Sequence, residues 1–177
     1  DPMAIPFSLG RNLLCIYSKK YIETPPQEKE KKILHNQRTL KKMKELLNEG
    51  GKCIYVAPSG GRDRKNREGE LILAPLLPES IELFWLLAQQ ATRPTHFYPL
   101  ALKTYDLMPP PSDTIHDAGE ERKVSFTPIY LNFGAEIHFH PERETAVIDK
   151  KQRRRQRAEE IWSRLASAYQ IFHKVSF

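Results

Sequence analysis

Apolar positions along this chain form short continuous runs that alternate with longer helical stripes. Leu13-Leu14-Cys15-Ile16-Tyr17 is a continuous apolar run closed by Ser18-Lys19-Lys20, and its length predicts a buried strand. From Glu28 to Asn48 the period changes: Ile33, Leu40, Met43, Leu46 and Leu47 recur at helical spacing, with Lys and Glu on the other face. Thr24, followed by Pro25, Pro26 and Gln27, reads as a capping-box start, and Gly50-Gly51 as the stop. Cys53-Ile54-Tyr55-Val56-Ala57 is a second strand candidate, so strand, helix and strand predict a βαβ unit with parallel strands.

Farther on, Glu79 to Ala91 is dense in apolar residues (Ile81, Leu83, Phe84, Trp85, Leu86, Leu87) and predicts a deeply buried helix. The run from His96 to Leu102 predicts a strand in which Pro99, lacking an N–H, needs an edge or strand-end position. Pro109-Pro110-Pro111-Ser112-Asp113 marks an extended surface loop. Lys123 to Asn132 and Glu136 to His140 predict two strands of a hairpin around Gly134. A last helix is expected from about Asp149 to His173, with Ile161, Leu165, Ala168 and Phe172 on one face. The alternation of strands and helices gives an α/β fold class.

Composition narrows the classes. With 177 residues, one domain over 1–177 is the default, and 40% hydrophobic against 28% charged residues argues against a disordered tail or a disulfide scaffold. No apolar stretch approaches the ~18 residues of a membrane span. Cys15 and Cys53 both lie in apolar runs without metal-ligand spacing, so buried reduced thiols are expected rather than a bridge. The first residues, Asp1-Pro2-Met3-Ala4-Ile5-Pro6-Phe7-Ser8, have neither an initiator Met nor a signal-peptide pattern, and the expectation is a chain that begins inside a domain.

Net charge, 28 − 22 = +6, directs attention to anions. Ala57-Pro58-Ser59-Gly60-Gly61-Arg62-Asp63-Arg64 follows the second strand candidate, where parallel sheets gather ligands. Two glycines permit close backbone approach, and two arginines one residue apart can converge on one anion. Lys19-Lys20 follow the first strand candidate in the same way, so parallel neighbouring strands would project Lys20, Arg62 and Arg64 from one rim of the sheet. Neither common nucleotide fingerprint, G-x-x-x-x-G-K-[ST] or G-x-G-x-x-G, is present, which leaves a side-chain phosphate site or an exposed polar turn.

Four stretches, taken in order, resemble the soluble plastid-type glycerol-3-phosphate acyltransferases of chloroplasts and of some bacteria, including chlamydiae. They are Pro6 to Leu13 (PFSLGRNL), Ile16-Tyr17-Ser18-Lys19-Lys20, Ala57 to Arg64 (APSGGRDR), and Tyr98 to Leu102 with Asp106-Leu107-Met108-Pro109-Pro110-Pro111. The resemblance implies a glycerolipid acyltransferase-like mixed sheet flanked by helices, lacking its N-terminal part. It implies transfer of a fatty acyl group, from acyl carrier protein or coenzyme A, to the 1-hydroxyl of glycerol 3-phosphate in phospholipid synthesis. The family's phosphate-binding cations map onto Lys20, Arg62 and Arg64. Tyr21 stands where the family pattern often has His; its hydroxyl can hydrogen-bond phosphate but carries no positive charge.

The wider acyltransferase motif is His, four residues, then Asp, in which the imidazole takes the hydroxyl proton and the carboxylate orients it. The fifth position after His35, His96, His138 and His140 is Leu40, Ala101, Arg143 and Thr145. Only His116 is followed there by a carboxylate, Glu121, in the loop after the prolines. No catalytic residue is therefore assigned in this chain, the dyad is expected upstream of Asp1, and the chain alone is expected to be inactive. No cofactor beyond the acyl donor and no metal is implied; the expected location is a bacterial cytoplasm or a plastid stroma.

Other features stay open on sequence alone. Lys150-Lys151-Gln152-Arg153-Arg154-Arg155-Gln156-Arg157 opens the last helix, where cations oppose the helix dipole. It reads as a solvated face, as a dock for acidic acyl carrier protein, or as a nucleic-acid contact, the last weakened by the lack of interleaved aromatics. A non-catalytic phosphate-binding module remains the other alternative class. His138 and His140, with Glu136 and Glu142 nearby, read as a solvent-facing strand or a metal site. Trp85 fits a core helix or the wall of an acyl tunnel.

Overall fold

A computed structural model describes residues 13–59, 61, 63–110, 123–139 and 149–174. Its helices are α1 (Lys19–Ile22), α2 (Lys29–Glu49), α3 (Pro78–Gln89) and α4 (Lys150–Lys174). The strands are β1 (Arg64–Lys65), β2 (Leu71–Ile72), β3 (Leu100–Lys103) and β4 (Tyr130–Phe133). They make two small antiparallel sheets, β1 with β2 and β3 with β4. The class is mixed α/β. The backbone divides into two compact units, Asp1–Tyr55 with Trp85–Thr95, and Val56–Phe84 with His96–Phe177.

In the first unit the periodicity of α2 is realised, but its inner stripe is rotated from the expected one. Lys32, Thr39 and Met43 are buried, whereas Ile33 is 38% exposed. The helix starts without a side-chain cap, so the capping box at Thr24 does not form; a 3-10 turn over Pro26–Glu28 leads in instead. Lys32 supplies the fixing contacts from within the helix, its Nζ donating to Thr24 O at 2.6 Å and Tyr21 O at 3.2 Å and pairing with Glu28 at 3.1 Å. At the other end Gly50 takes φ 76°, and a Cβ there would lie 3.0 Å from the Arg93 side chain, so glycine serves both conformation and space.

The two apolar runs expected to form a parallel pair carry no strand ladder among the described residues. Side chains of α2 take the place of a neighbouring strand. Asn36 accepts from Tyr17 N at 2.8 Å and donates to Tyr17 O at 2.9 Å, while the Cys15 carbonyl lies 2.9 Å from His35 Nε2 and accepts from Thr39 Oγ1 at 3.3 Å. These contacts satisfy the Tyr17 N–H and the Tyr17 and Cys15 carbonyls without a sheet. Its side chains stay open: Leu13 is 48% and Tyr55, in the second run, 65% exposed. Cys15 and Cys53 are accordingly exposed free thiols, not the buried ones expected.

The second unit is built on α4. Ala158, Ile161, Leu165, Ala168, Tyr169 and Phe172 recur at spacings of three and four, and the buried cluster Ala101, Ala168, Tyr169 and Phe172 gathers Leu71, Leu73, Tyr130 and Leu165 around it. Each large apolar side chain fully withdrawn from water contributes about 1.5–3 kcal/mol, so this stripe holds both small sheets against the helix. Pro99 ends just before β3, at the strand end its missing N–H requires.

Gly134 does not turn a hairpin. β4 pairs with β3 from Leu100↔Phe133 to Lys103↔Tyr130, and the chain then continues straight, with Gly134 N donating to Pro99 O at 2.9 Å and Ile137 N to Phe97 O at 2.8 Å. A Cβ on residue 134 would fall 2.7 Å from Pro99 Cγ, so glycine is needed for close approach rather than for a bend. Helix α3 is half-buried rather than deeply buried: Leu87 is 7% exposed but Leu86 41%. Its apolar residues cover all faces, more than the described neighbours shield. No helix is long and apolar enough to cross a membrane among the described residues.

Candidate phosphate-binding site

The Gly-Gly-Arg-Asp-Arg stretch leads into a short hairpin that the apolar pattern did not announce. Arg64 pairs with Ile72 and Lys65 with Leu71. The turn between them is closed by Asn66, whose Oδ1 accepts from Glu70 N at 2.8 Å, and by Gly69 at φ 83°. Upstream, Ser59 Oγ donates to Gly61 O at 3.0 Å and Leu77 N to Pro58 O at 3.0 Å. Arg64 is exposed, and Lys65 Nζ sits 5.3 Å from the centre of the Tyr105 ring.

Between the arginines, Asp63 turns inward. Its Oδ1 accepts from Ala74 N at 2.8 Å, and its Oδ2 lies 2.6 Å from Tyr169 Oη, which is also 2.7 Å from Leu102 O. Tyr169 is 6% exposed. The N–H of Ala74, two residues beyond Ile72, thus meets a carboxylate where a longer ladder would offer a strand carbonyl. Alternation along an extended segment sends Asp63 towards α4 and its neighbour Arg64 to the opposite side. The sequence reading passed over Asp63 and Tyr169; that alternation is the signal that could have marked Asp63.

The sequence-assigned phosphate residues fall differently. Arg62 and the side chain of Lys20 lie outside the described residues. Tyr21 is in α1, 53% exposed, with its N–H bonded to Ser18 O at 2.9 Å and its carbonyl accepting from Lys32. Arg64 belongs to an antiparallel hairpin, not to the carboxyl end of a parallel strand, and Lys20 belongs to a helical turn, so neither residue follows a parallel strand as expected. Tyr21 falls in the first compact unit and Arg64 in the second.

In the basic run on α4, two cations face one carboxylate inside the second unit. Arg157, its side chain 12% exposed, pairs with Glu82 of α3, and Arg154 Nε lies 3.5 Å from the same carboxylate. Lys150, Lys151 and Arg155 are exposed. Past β4, Glu136 accepts from His96 Nδ1 at 2.7 Å with His138 Nδ1 at 3.9 Å; the hydrogen bond from His96 holds the Glu136 carboxyl below the usual carboxylate range, although burial acts the other way. His138 is largely exposed, His140 is outside the described residues, and no three-residue metal cluster occurs among those described.

Comparison with other proteins decides the relationship. The chain is 43% identical over 140 residues, 78% of its length, to the chloroplastic glycerol-3-phosphate acyltransferase of Arabidopsis thaliana. This chain matches a C-terminal part of the glycerol-3-phosphate acyltransferases. The chloroplastic glycerol-3-phosphate acyltransferase of Spinacia oleracea is 42% identical over 141 residues, and that of Phaseolus vulgaris 37% over 159, or 85% of the chain. The chain spans about 30% of the length of the first two relatives. No protein-family model matches it. The resemblance to plastid-type glycerol-3-phosphate acyltransferases read from the four motif stretches is thereby borne out.

Proposed function

We propose that this chain forms the phosphate-recognising part of a glycerol-3-phosphate 1-O-acyltransferase. The similarity to three named chloroplastic acyltransferases carries the reading. In the reaction, the 1-hydroxyl of glycerol 3-phosphate attacks the acyl thioester carbonyl, an ester C–O bond forms, and the C–S bond breaks. The hydroxyl proton passes to a base, and the departing thiolate takes up a proton. With no His followed at the fifth position by Asp in this chain, the base comes from outside it.

This chain's task is then to hold the phosphate so that the hydroxyl is presented to the acyl carbon. An exposed guanidinium at Arg64 suits that role, being always charged and able to donate two parallel hydrogen bonds to phosphate oxygens. Arg62 shares its motif, and Lys20 and Tyr21 carry the same assignment through the Ser-Lys-Lys stretch. The donor is an acyl thioester of acyl carrier protein or coenzyme A, with no further cofactor. An acidic carrier protein would meet Lys150, Lys151 and Arg155 on α4. The complete fold is read as a glycerolipid acyltransferase-like mixed sheet flanked by helices, and the chloroplastic names of the relatives support a plastid stroma as its location.

The test is Arg64→Ala in the full-length protein that carries this chain. A charge-assisted hydrogen bond is worth about 1.5–3 kcal/mol, so the KM for glycerol 3-phosphate should rise by roughly 10- to 150-fold. An unchanged KM removes Arg64 from the site.

A further inference from the structure

Arg64 lies at the surface on a two-residue strand, opposite Ile72 in the ladder. Beside that ladder, the residue before Arg64 fixes its backbone. Asp63 spends both carboxylate oxygens inside the unit, one on the N–H of Ala74 in the partner segment and the other on Tyr169 of α4. Tyr169 is buried within the core cluster beside Ala168 and Phe172, and its hydroxyl also reaches the carbonyl of Leu102 in β3. One carboxylate therefore ties the loop directly to the segment that follows the second hairpin strand, and to the long helix and the second sheet through one phenol.

The geometry points to Asp63 and Tyr169 as a positioning pair that sets Arg64 for phosphate. Neither touches the phosphate. Asp63 acts by fixing the peptide on the N-terminal side of Arg64, and Tyr169 by fixing Asp63. The motif's acidic residue is thereby explained: alternation turns it away from the anion that Arg64 would bind, so its negative charge stabilises the frame without opposing the ligand. This inference rests on the phosphate reading of Arg64.

The hydrogen-bond chemistry separates charge from geometry. The single Tyr169 proton has two acceptors, Asp63 Oδ2 and Leu102 O. In Asp63→Asn the amide oxygen can still accept from Ala74 N, and the amide N–H can donate to Tyr169 Oη while the phenol proton goes to Leu102 O. Every partner stays satisfied. Asp63→Ala leaves the Ala74 N–H and the phenol without that acceptor.

The experiment is steady-state kinetics of the full-length protein with glycerol 3-phosphate and an acyl-coenzyme A. Asp63→Ala should raise the KM for glycerol 3-phosphate roughly tenfold, and Tyr169→Phe about three- to tenfold, because a small displacement of a positioning group is enough for such losses. The KM for acyl-coenzyme A should stay within about twofold in both, and Asp63→Asn should stay within about twofold for both substrates. Tyr169→Phe removes a single oxygen and carries the test if Asp63→Ala does not fold.

Unchanged glycerol 3-phosphate KM values in Asp63→Ala and Tyr169→Phe would overturn the inference. So would an Asp63→Asn variant as impaired as Asp63→Ala, or an acyl-donor KM rising in step, which marks general damage. Arg64→Ala serves as the control. If it too leaves the glycerol 3-phosphate KM unchanged, the phosphate reading itself has failed; if it alone raises the KM, only the positioning role has.

Discussion

Replacing Lys32 by Met keeps the aliphatic stem of a buried side chain and deletes its charge. Lys32 is 6% exposed, and its three N–H groups have three acceptors: Thr24 O at 2.6 Å, Tyr21 O at 3.2 Å and Glu28 Oε2 at 3.1 Å. The Glu28 partner is half-exposed and contributes under about 1 kcal/mol. Hydrogen bonds from a charged donor to the two carbonyls are worth about 1.5–3 kcal/mol each at full strength. Both carbonyls belong to exposed residues, so water recovers roughly half of that. Relief from burying the ammonium offsets a further part. A net loss of about 1–3 kcal/mol results, equal to a drop of roughly 0.5–1.5 M in the urea midpoint for a slope of about 2 kcal/mol per M. Urea unfolding of the full-length protein followed by circular dichroism reads it directly. A loss below about 0.5 kcal/mol would show that the clamp between α2 and the 21–24 turn does not hold that turn in place, because random surface changes fall in that range.

Three further outcomes follow from the second unit. Glu82→Gln strips the charge facing Arg154 and Arg157 in a partly buried pair and should cost about 1–3 kcal/mol in thermal or urea unfolding; a neutral result would mean that both arginines find water instead. Gly134→Ala puts a Cβ 2.7 Å from Pro99 Cγ and should cost about 1–3 kcal/mol by the same measurement, unless the two segments separate freely. Glu136, whose folded pKa is lowered, stabilises the fold above the ordinary carboxylate range, and that contribution disappears as pH falls through the lowered value. NMR titration should show the Glu136 midpoint moving up in His96→Ala, and an unmoved midpoint would rule out the His96 hydrogen bond as the cause.

Both long helices are readable from the sequence because their period is local, and Gly50 ends Lys29–Glu49 as expected although the Thr24 cap does not form. Lys150–Lys174 lies within a residue of its expected limits, and Lys29–Glu49 begins and ends one residue late. Strands are another matter, since a strand exists only through its partner. Leu13–Tyr17 has the composition of a buried strand, yet Asn36, His35 and Thr39 bond its backbone, a non-local substitution invisible in the apolar run. Gly134 has the appearance of a turn because its crowding against Pro99, 35 positions earlier, leaves no local trace. The Ala57–Arg64 motif was readable as chemistry, but its support was not. Tyr169 sits next to the apolar face of its helix, and nothing nearby in sequence announces that its hydroxyl meets Asp63 106 positions away.

The pairing of Arg154 and Arg157 with Glu82 also bears on ionic strength. Six cations between Lys150 and Arg157 would suggest a strongly attractive surface whose capture of an acidic protein collapses with added salt. Two of them already face a carboxylate of α3 and Arg153 is half-buried, which makes part of the run structural and leaves Lys150, Lys151 and Arg155 as the outward charge. Association of an acidic partner with this helix should therefore slow with salt as a three-charge surface does, gently enough for encounters to persist at the ionic strength of a living compartment.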